Sequence, residues 1–308
     1  MPQHMLNRIL DISEAPARLK VRLEQLVIDT LQAQQPVTIP IAEIAVLIVS
    51  HPQVTYTQRV LSSLVKEGGV FITCDERRLP NGMLVPLQSN YIQVERIAKQ
   101  SAAKLPLKKR IWQQVIRAKI IAQAELLSML HNNDFGLFAL VSQVKSGDPQ
   151  NIEARAARKY WSVLFGSNTF LRDRAAHDQN QLLNYGYTVL RAITARAICA
   201  AGLHPSIGIH HHNKYNHFCL ADDLMEPFRV LVDRTVAIHI SENGIDTNFD
   251  QSTREILLSV LTERVELNGH TKTLFDALAQ TAQSLNDVFA GNKNKIDLPE
   301  KIFTYATS

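Results

Sequence analysis

The chain contains no run of about eighteen uncharged apolar residues, which excludes the simplest form of membrane-spanning helix. Cysteine is scarce: Cys74, Cys199 and Cys219 stand far apart, with no C-x-x-C pair. That spacing excludes a disulfide framework and a cysteine-rich structural zinc site, and predicts reduced thiols that serve only as packing. Internal repeats and low-complexity tracts are absent too. The opening Met1-Pro2-Gln3-His4 lacks the basic-then-apolar layout of a secretion signal, so a cytoplasmic location with no membrane partner is expected. What is present is a chain of 308 residues, 45% hydrophobic, long enough to bury a large core or to split into two domains.

The net charge of +4 is mild, but its distribution is uneven. Arg96, Lys99, Lys104, Lys108, Lys109, Arg110, Arg117 and Lys119 follow one another with no acidic residue between them. That segment is either a positive surface for phosphate backbones or a solvated helix face. Residues 1–88 read as a β-rich domain. Leu19–Leu23 alternates with period two, Ala45–Val49 and Val70–Cys74 are short apolar runs, and Thr55–Lys66 has helical spacing. Pro80-Asn81-Gly82 predicts a tight turn leading into an edge strand. From residue 92 the pattern turns to long helices, over Ile111–His131 and Gln181–Ala201, while the polar stretch Gly166–Asn180 has the length of a functional loop. Asp148-Pro149 is a helix-start signal, with Asp148 as N-cap. The tail 291–308 is expected to be loosely ordered. The predicted class is therefore α+β: a small N-terminal β-rich domain, then a larger all-helical domain.

Two clusters carry chemistry. His210-His211-His212-Asn213 is followed closely by Asp222-Asp223-Leu224-Met225-Glu226, and together they supply the nitrogen and oxygen donors of a divalent-metal site. Each also has a plainer explanation. Asp223-x-x-Glu226 is a capping box for the helix beyond it, although Asp223, Glu226 and Asp233 then share a stripe and repel unless a cation lies among them. Upstream, a helix beginning near Pro149 gathers Ala156, Ala157, Tyr160, Trp161 and Leu164 on one face, with Glu153 in the middle of it. A carboxylate there needs an arginine, a hydrogen-bonding partner or a metal.

Four ordered blocks then point to a family. They are Glu153-Ala154-Arg155-Ala156-Ala157-Arg158-Lys159-Tyr160-Trp161, Asn180-x-x-Leu183-Asn184-Tyr185-Gly186-Tyr187-x-x-Leu190, Gly202-Leu203-His204-Pro205-Ser206-Ile207-Gly208-Ile209-His210-His211 and Leu220-Ala221-Asp222-Asp223-Leu224-Met225-Glu226-Pro227-Phe228-Arg229. In order and spacing they resemble the catalytic subunit of the CRISPR spacer-acquisition integrase, in the form that accompanies type II systems. Asp75-Glu76-x-x-Leu79-Pro80-x-Gly82-x-Leu84-x-Pro86 is similar to the end of that family's β domain. Val230 departs from the proline that relatives often place after the arginine.

The resemblance implies an antiviral enzyme whose β domain serves dimerisation and partner contacts, followed by a helical catalytic domain. It implies a homodimer, and two such dimers bridged into a heterohexamer by a dimer of a small ferredoxin-like partner subunit. It also implies metal ligands Glu153, His211 and Glu226, with Asp223 close by in the catalytic site. His211 is preferred to His210 because its separation from Glu226 is the one this form of the family uses. The expected reaction joins 3′-hydroxyl ends of double-stranded DNA fragments to CRISPR repeat DNA by transesterification, with Mg²⁺ or Mn²⁺ and no protein nucleophile. Lys108, Lys109, Arg110, Arg155, Arg158, Arg172, Arg174 and Arg191 are the expected phosphate contacts, and Tyr160, Tyr185 and Tyr187 either stack on bases or pack between helices. Two alternatives stay open: a hydrolytic endonuclease for branched or single-stranded DNA using the same site, and a non-catalytic DNA-binding scaffold.

Overall fold

A computed structural model describes residues 7–30, 35–86, 90–166, 170–173, 176, 178–244 and 249–303. The chain forms two compact units, Met1–Tyr91 and Ile92–Ser308.

The first unit contains two four-stranded sheets. In one, β2 (Ala17–Arg22) pairs antiparallel with β3 (Gln25–Thr30), β3 with β4 (Val37–Pro40), and β2 parallel with β6 (Thr55–Tyr56). In the other, β1 (Arg8–Ile12), β5 (Ile44–Val49) and β7 (Val70–Cys74) run parallel, and β8 (Pro80–Leu84) closes the edge antiparallel to β7. Ile44 to Ile48 are all buried, as a central strand covered on both faces requires. Leu19, Leu26, Ile28, Leu47 and Phe71 meet Val60 and Leu64 of helix α1 (Gln58–Lys66) in one core.

Two expectations fail here. Leu23 does not extend β2; with Glu24 it forms the two-residue hairpin loop, at φ 49° and 56°, and is 84% exposed. Pro80-Asn81-Gly82 is strand, not turn. The reversal lies earlier, where the Asp75 carboxylate accepts hydrogen bonds from the amides of Arg77 and Leu79, each at 2.9 Å.

The second unit is built on α2 (Gln93–Ser101), α3 (Leu105–His131), the short α4 (Phe138–Val141), α5 (Ile152–Leu164), α6 (Gln179–Ala200), α7 (Cys219–Met225), α8 (Arg229–Asn243) and α9 (Gln251–Ser259). It is not all-helical: β9 (Arg264–Leu267) and β10 (His270–Thr273) form a hairpin before α10 (Leu274–Phe289). Helix α6 packs against α7, α8 and α10, and α3 packs against α5 and the 3₁₀ turn Glu226–Phe228. Gly186 permits the α6–α8 crossing, since a Cβ there would meet the Val232 side chain at 2.5 Å. The tail is ordered up to residue 303: Ile296, Ile302 and Phe303 are buried, and Lys301 bridges to Glu266. Residues 304–308, and 167–169, 174, 175 and 177 of the polar loop, lie outside the described residues. Among those described, no helix is long and apolar enough to cross a membrane.

Candidate active site

Helix α5 delivers Glu153 from its first turn. Asp148 does not occupy the N-cap; Asn151 does, in the left-handed region, and the helix starts at Ile152. The capping chemistry is nevertheless kept, because the Asp148 carboxylate reaches forward and accepts from the amides of Ile152 and Glu153, each at 2.9 Å. Glu153 is thereby fixed in direction. Its Oε1 lies 2.7 Å from Lys119 Nζ of α3.

The same ammonium lies 2.8 Å from Glu226 Oε2, so one cation joins carboxylates from two separate elements. Glu226 is buried and its other oxygen lies 3.1 Å from Arg229. Burial alone would raise the Glu226 pKa, but Arg229 and Lys119 outweigh it and hold the carboxyl down at about 2. Burial likewise pulls on Lys119, and the two glutamates overcome it to raise its pKa. In the sequence Lys119 reads only as the last member of the basic run. Its signal was positional: Trp112, Ile116, Lys119 and Gln123 share one face of α3, where a lysine needs an acidic partner.

Asp223 does not cap a helix. It lies inside α7, is 0% exposed, and points beneath the histidine loop. Its Oδ2 accepts from the amides of Ile209 at 2.6 Å and His210 at 3.0 Å, and its Oδ1 accepts from the His211 amide at 3.2 Å. The Oδ1 also lies 2.6 Å from His211 Nδ1, which therefore carries the proton, because an ionised carboxylate only accepts. That hydrogen bond, opposed by burial, raises the His211 pKa, and the charge of Glu226 adds to it. Gly208 is needed for this wrapping: a Cβ would stand 2.2 Å from the His211 carbonyl oxygen and 3.0 Å from Asp223 Oδ2. His210 instead stacks flat on Trp112, with centroids 4.2 Å apart and planes at 3°. His212 turns its Nδ1 to the His210 carbonyl.

The structure thus brings Glu153, Glu226 and His211 into one region around Lys119 and Asp223. Among the described residues, however, no group of three or more His, Cys, Asp and Glu side chains is spaced to hold a metal ion. Lys119 stands between the two carboxylates, and His211 turns its Nδ1 to Asp223. A cavity of about 150 Å³ adjoins the pair, lined by Lys119, Arg172, Tyr187, Glu226, Arg229 and Asp233.

The expected acidic stripe is dispersed, since each member has its own partner. Asp233 is buried and accepts hydrogen bonds from the hydroxyls of Tyr160, at 2.6 Å, and Tyr187. Both tyrosines are buried in the core, so a stacking role on DNA does not fit their placement; Tyr185 is buried as well. Arg191 is likewise engaged, its Nε 2.7 Å from Asp222 Oδ1, and Arg172 donates to Asn180 and Asn184. Lys109, Arg110, Arg155 and Arg158 are exposed and Lys108 is half-buried, while Arg174 lies outside the described residues.

Burial pushes the Asp233 pKa up to about 6, despite the two tyrosine hydroxyls and Arg229. The folded carboxyl therefore holds its proton more tightly than an unfolded aspartate, whose pKa is about 3.9. Its contribution to stability is full below pH 4 and is lost as pH rises to about 6. Urea titrations at pH 4.5 and 7 are expected to show this loss, on the order of 2 kcal/mol, in the wild type relative to Asp233→Asn. Parallel pH profiles would contradict it.

A family model described as CRISPR associated protein Cas1 matches residues 10–268. The CRISPR-associated endonuclease Cas1 of Neisseria meningitidis serogroup C is 34% identical over 290 residues, covering 92% of this chain and 93% of that protein. Among solved structures, a casposase bound to its integration product is 20% identical, with a TM-score of 0.77 over 96% of this chain and 94% of that one. A chain of a Cas6-RT-Cas1–Cas2 complex is 18% identical, with a TM-score of 0.71 over 99% of this chain and 37% of that one. The matched span takes in strands β2 to β9 as well as Glu153, His211 and Glu226, and on that breadth the chain belongs to the Cas1 family of CRISPR-associated endonucleases.

Proposed function

We propose that the chain is a divalent-metal-dependent integrase that joins 3′-hydroxyl ends of short double-stranded DNA fragments to a CRISPR repeat by transesterification. The observation that carries this reading is the shared cation: Glu153 and Glu226, from separate elements, already meet one positive centre at 2.7 and 2.8 Å, with His211 within charge reach. Two carboxylates and an imidazole fit Mg²⁺ or Mn²⁺, the nitrogen donor favouring Mn²⁺. Glu153, His211 and Glu226 would hold the ion once Lys119 has given up its place between the two carboxylates. When bound, it polarises a DNA phosphate and stabilises the charge of an in-line displacement.

The surrounding residues have separable tasks. Asp223 holds the His211 proton on Nδ1, which leaves Nε2 as the donor atom. Arg229 and Lys119 keep Glu226 ionised at any physiological pH. The exposed Lys109, Arg110, Arg155 and Arg158, with Lys108, orient phosphates by charge without reading sequence. The attacking group is the DNA 3′-hydroxyl, so no side chain acts as nucleophile. Chains of like fold support this reading, one solved with an integration product and one in a complex with Cas2. With this activity we propose a homodimer whose first unit provides dimer and partner contacts, and a small ferredoxin-like Cas2 dimer that bridges two such dimers into a heterohexamer.

The relative's name, endonuclease, favours a second reading in which water replaces the 3′-hydroxyl. Incubating the protein and its partner with a free-ended duplex and a supercoiled repeat plasmid separates the two. Strand-joined products are expected; nicked plasmid without joining would leave hydrolysis as the activity.

A further inference from the structure

Lys119 stands where a divalent ion bridging Glu153 and Glu226 has to sit. Its ammonium lies 2.7 Å from one carboxylate and 2.8 Å from the other. Mg²⁺ takes carboxylate oxygens at about 2.0–2.1 Å, so lysine and ion cannot share these two oxygens, and their like charges repel at that range. Lysine and metal therefore compete. Arg229 keeps to the other oxygen of Glu226, at 3.1 Å, so that carboxylate stays paired whichever cation lies on its near side.

An ammonium that gives way here needs another acceptor, because Lys119 is rooted between the buried Ile116, Ala118 and Ile120 of α3. Such an acceptor lies one helical turn further on. Gln123 is 4% exposed, and among the described residues its buried Oε1 has no hydrogen-bond partner. A buried acceptor without a partner is uncommon in a folded protein and calls for a reason. Lys119 and Gln123 both line the cavity of about 150 Å³ beside the carboxylates. One water takes up roughly 30 Å³ in the liquid, so the cavity has room for an ammonium. The Asp233 carboxylate on its wall attracts a cation, while Arg172 and Arg229 there are already engaged, with Asn180 and Asn184 and with Glu226.

We propose that Lys119 is a displaceable counter-ion with two seats. In the first, between Glu153 and Glu226, it holds two like charges from separate elements together. In the second, on Gln123 Oε1, it makes way for a divalent ion. Residues four apart share a helix face, so rotation about the bonds of the lysine side chain is enough to exchange the seats. The proposal rests on the reading of Glu153, His211 and Glu226 as metal ligands, and it makes metal binding an exchange of one cation for another.

The test is Mn²⁺ titration of the full chain at pH 8 without DNA, read by the free-ion electron paramagnetic resonance signal. Lys119→Met, which removes the competitor, should bind Mn²⁺ about tenfold or more tightly than the wild type. Lys119→Arg keeps the charge and should bind it no more tightly. Gln123→Leu leaves both ion pairs in place but removes the second seat. It should weaken Mn²⁺ binding about tenfold, the scale of one hydrogen bond to a charged group, and should have no effect in the Lys119→Met background. A merely structural role for Gln123 would not vanish with the lysine. Mn²⁺ affinity in folded Lys119→Met equal to or below that of the wild type would overturn the counter-ion and leave the metal reading standing. If Lys119→Met does not fold, Gln123→Leu decides, and an unchanged affinity there overturns the proposal. Failure of every one of these chains to bind Mn²⁺ would overturn the metal reading itself.

Discussion

Glu226→Ala is expected to cost stability as well as activity. The Glu226 carboxylate is buried against Lys119 at 2.8 Å and Arg229 at 3.1 Å, and removing it leaves Arg229 without its carboxylate partner and Lys119 with Glu153 alone. Breaking a buried pair from one side typically costs about 3–5 kcal/mol, because the charge left behind is neither solvated nor paired. A urea midpoint shift of that size is expected, with an unchanged m-value. Strand joining should fall by at least about 10²-fold, the scale seen when one charge-stabilising group leaves a catalytic site. Adding Arg229→Met to Glu226→Ala should recover part of the stability, since it removes the cation left without a carboxylate, and none of the activity. A double variant less stable than the sum of the singles would contradict the ion-pair account.

Asp223→Ala should do comparable damage by another route. Three consecutive backbone amides, those of Ile209, His210 and His211, end on this one fully buried carboxylate, together with the His211 ring. Each buried amide left without an acceptor costs about 1–3 kcal/mol, so a loss of roughly 3 kcal/mol or more is expected even if the loop partly re-forms its bonds with water. Asp223→Asn keeps the volume but turns an amide donor toward other donors. Its signature is the His211 tautomer: nitrogen NMR of the wild type should show the proton on Nδ1, and that of Asp223→Asn a mixture. A His211 spectrum unchanged by the substitution would show that Asp223 does not set the ring.

The sequence made much of this legible, for identifiable reasons. Ala45–Val49 and Val70–Cys74 stood out because strands covered on both faces are continuous apolar runs, and α3 and α6 because their buried stripes persist over many turns. What stayed hidden depends on contacts distant in the chain. The Leu23-Glu24 loop has positive φ at residues that do not advertise it, and the β7–β8 reversal is set by one Asp75 carboxylate and not by the turn-like Pro80-Asn81-Gly82. Asp223 looked like a helix cap because its spacing to Glu226 is that of a capping box; only the return of residues 208–211 over α7 gives it other donors. Tyr160 and Tyr187 looked equally suited to base stacking and to packing, and it is Asp233, brought in on α8, that draws their hydroxyls inward. Lys119 was the largest omission. Its neighbours in sequence are basic, while its neighbours in space are Glu153 and Glu226.

The central claim is that Glu153, His211 and Glu226 together hold one divalent cation. Titration of Mn²⁺ into the full chain, read by the loss of the free-ion electron paramagnetic resonance signal, tests it without recourse to activity. One site per chain is expected, weakened by about 10- to 100-fold or more in each of Glu153→Ala, His211→Ala and Glu226→Ala, with double variants losing little beyond the worse single. Mn²⁺ binding that is unchanged in all three single variants, while each remains folded, would contradict it.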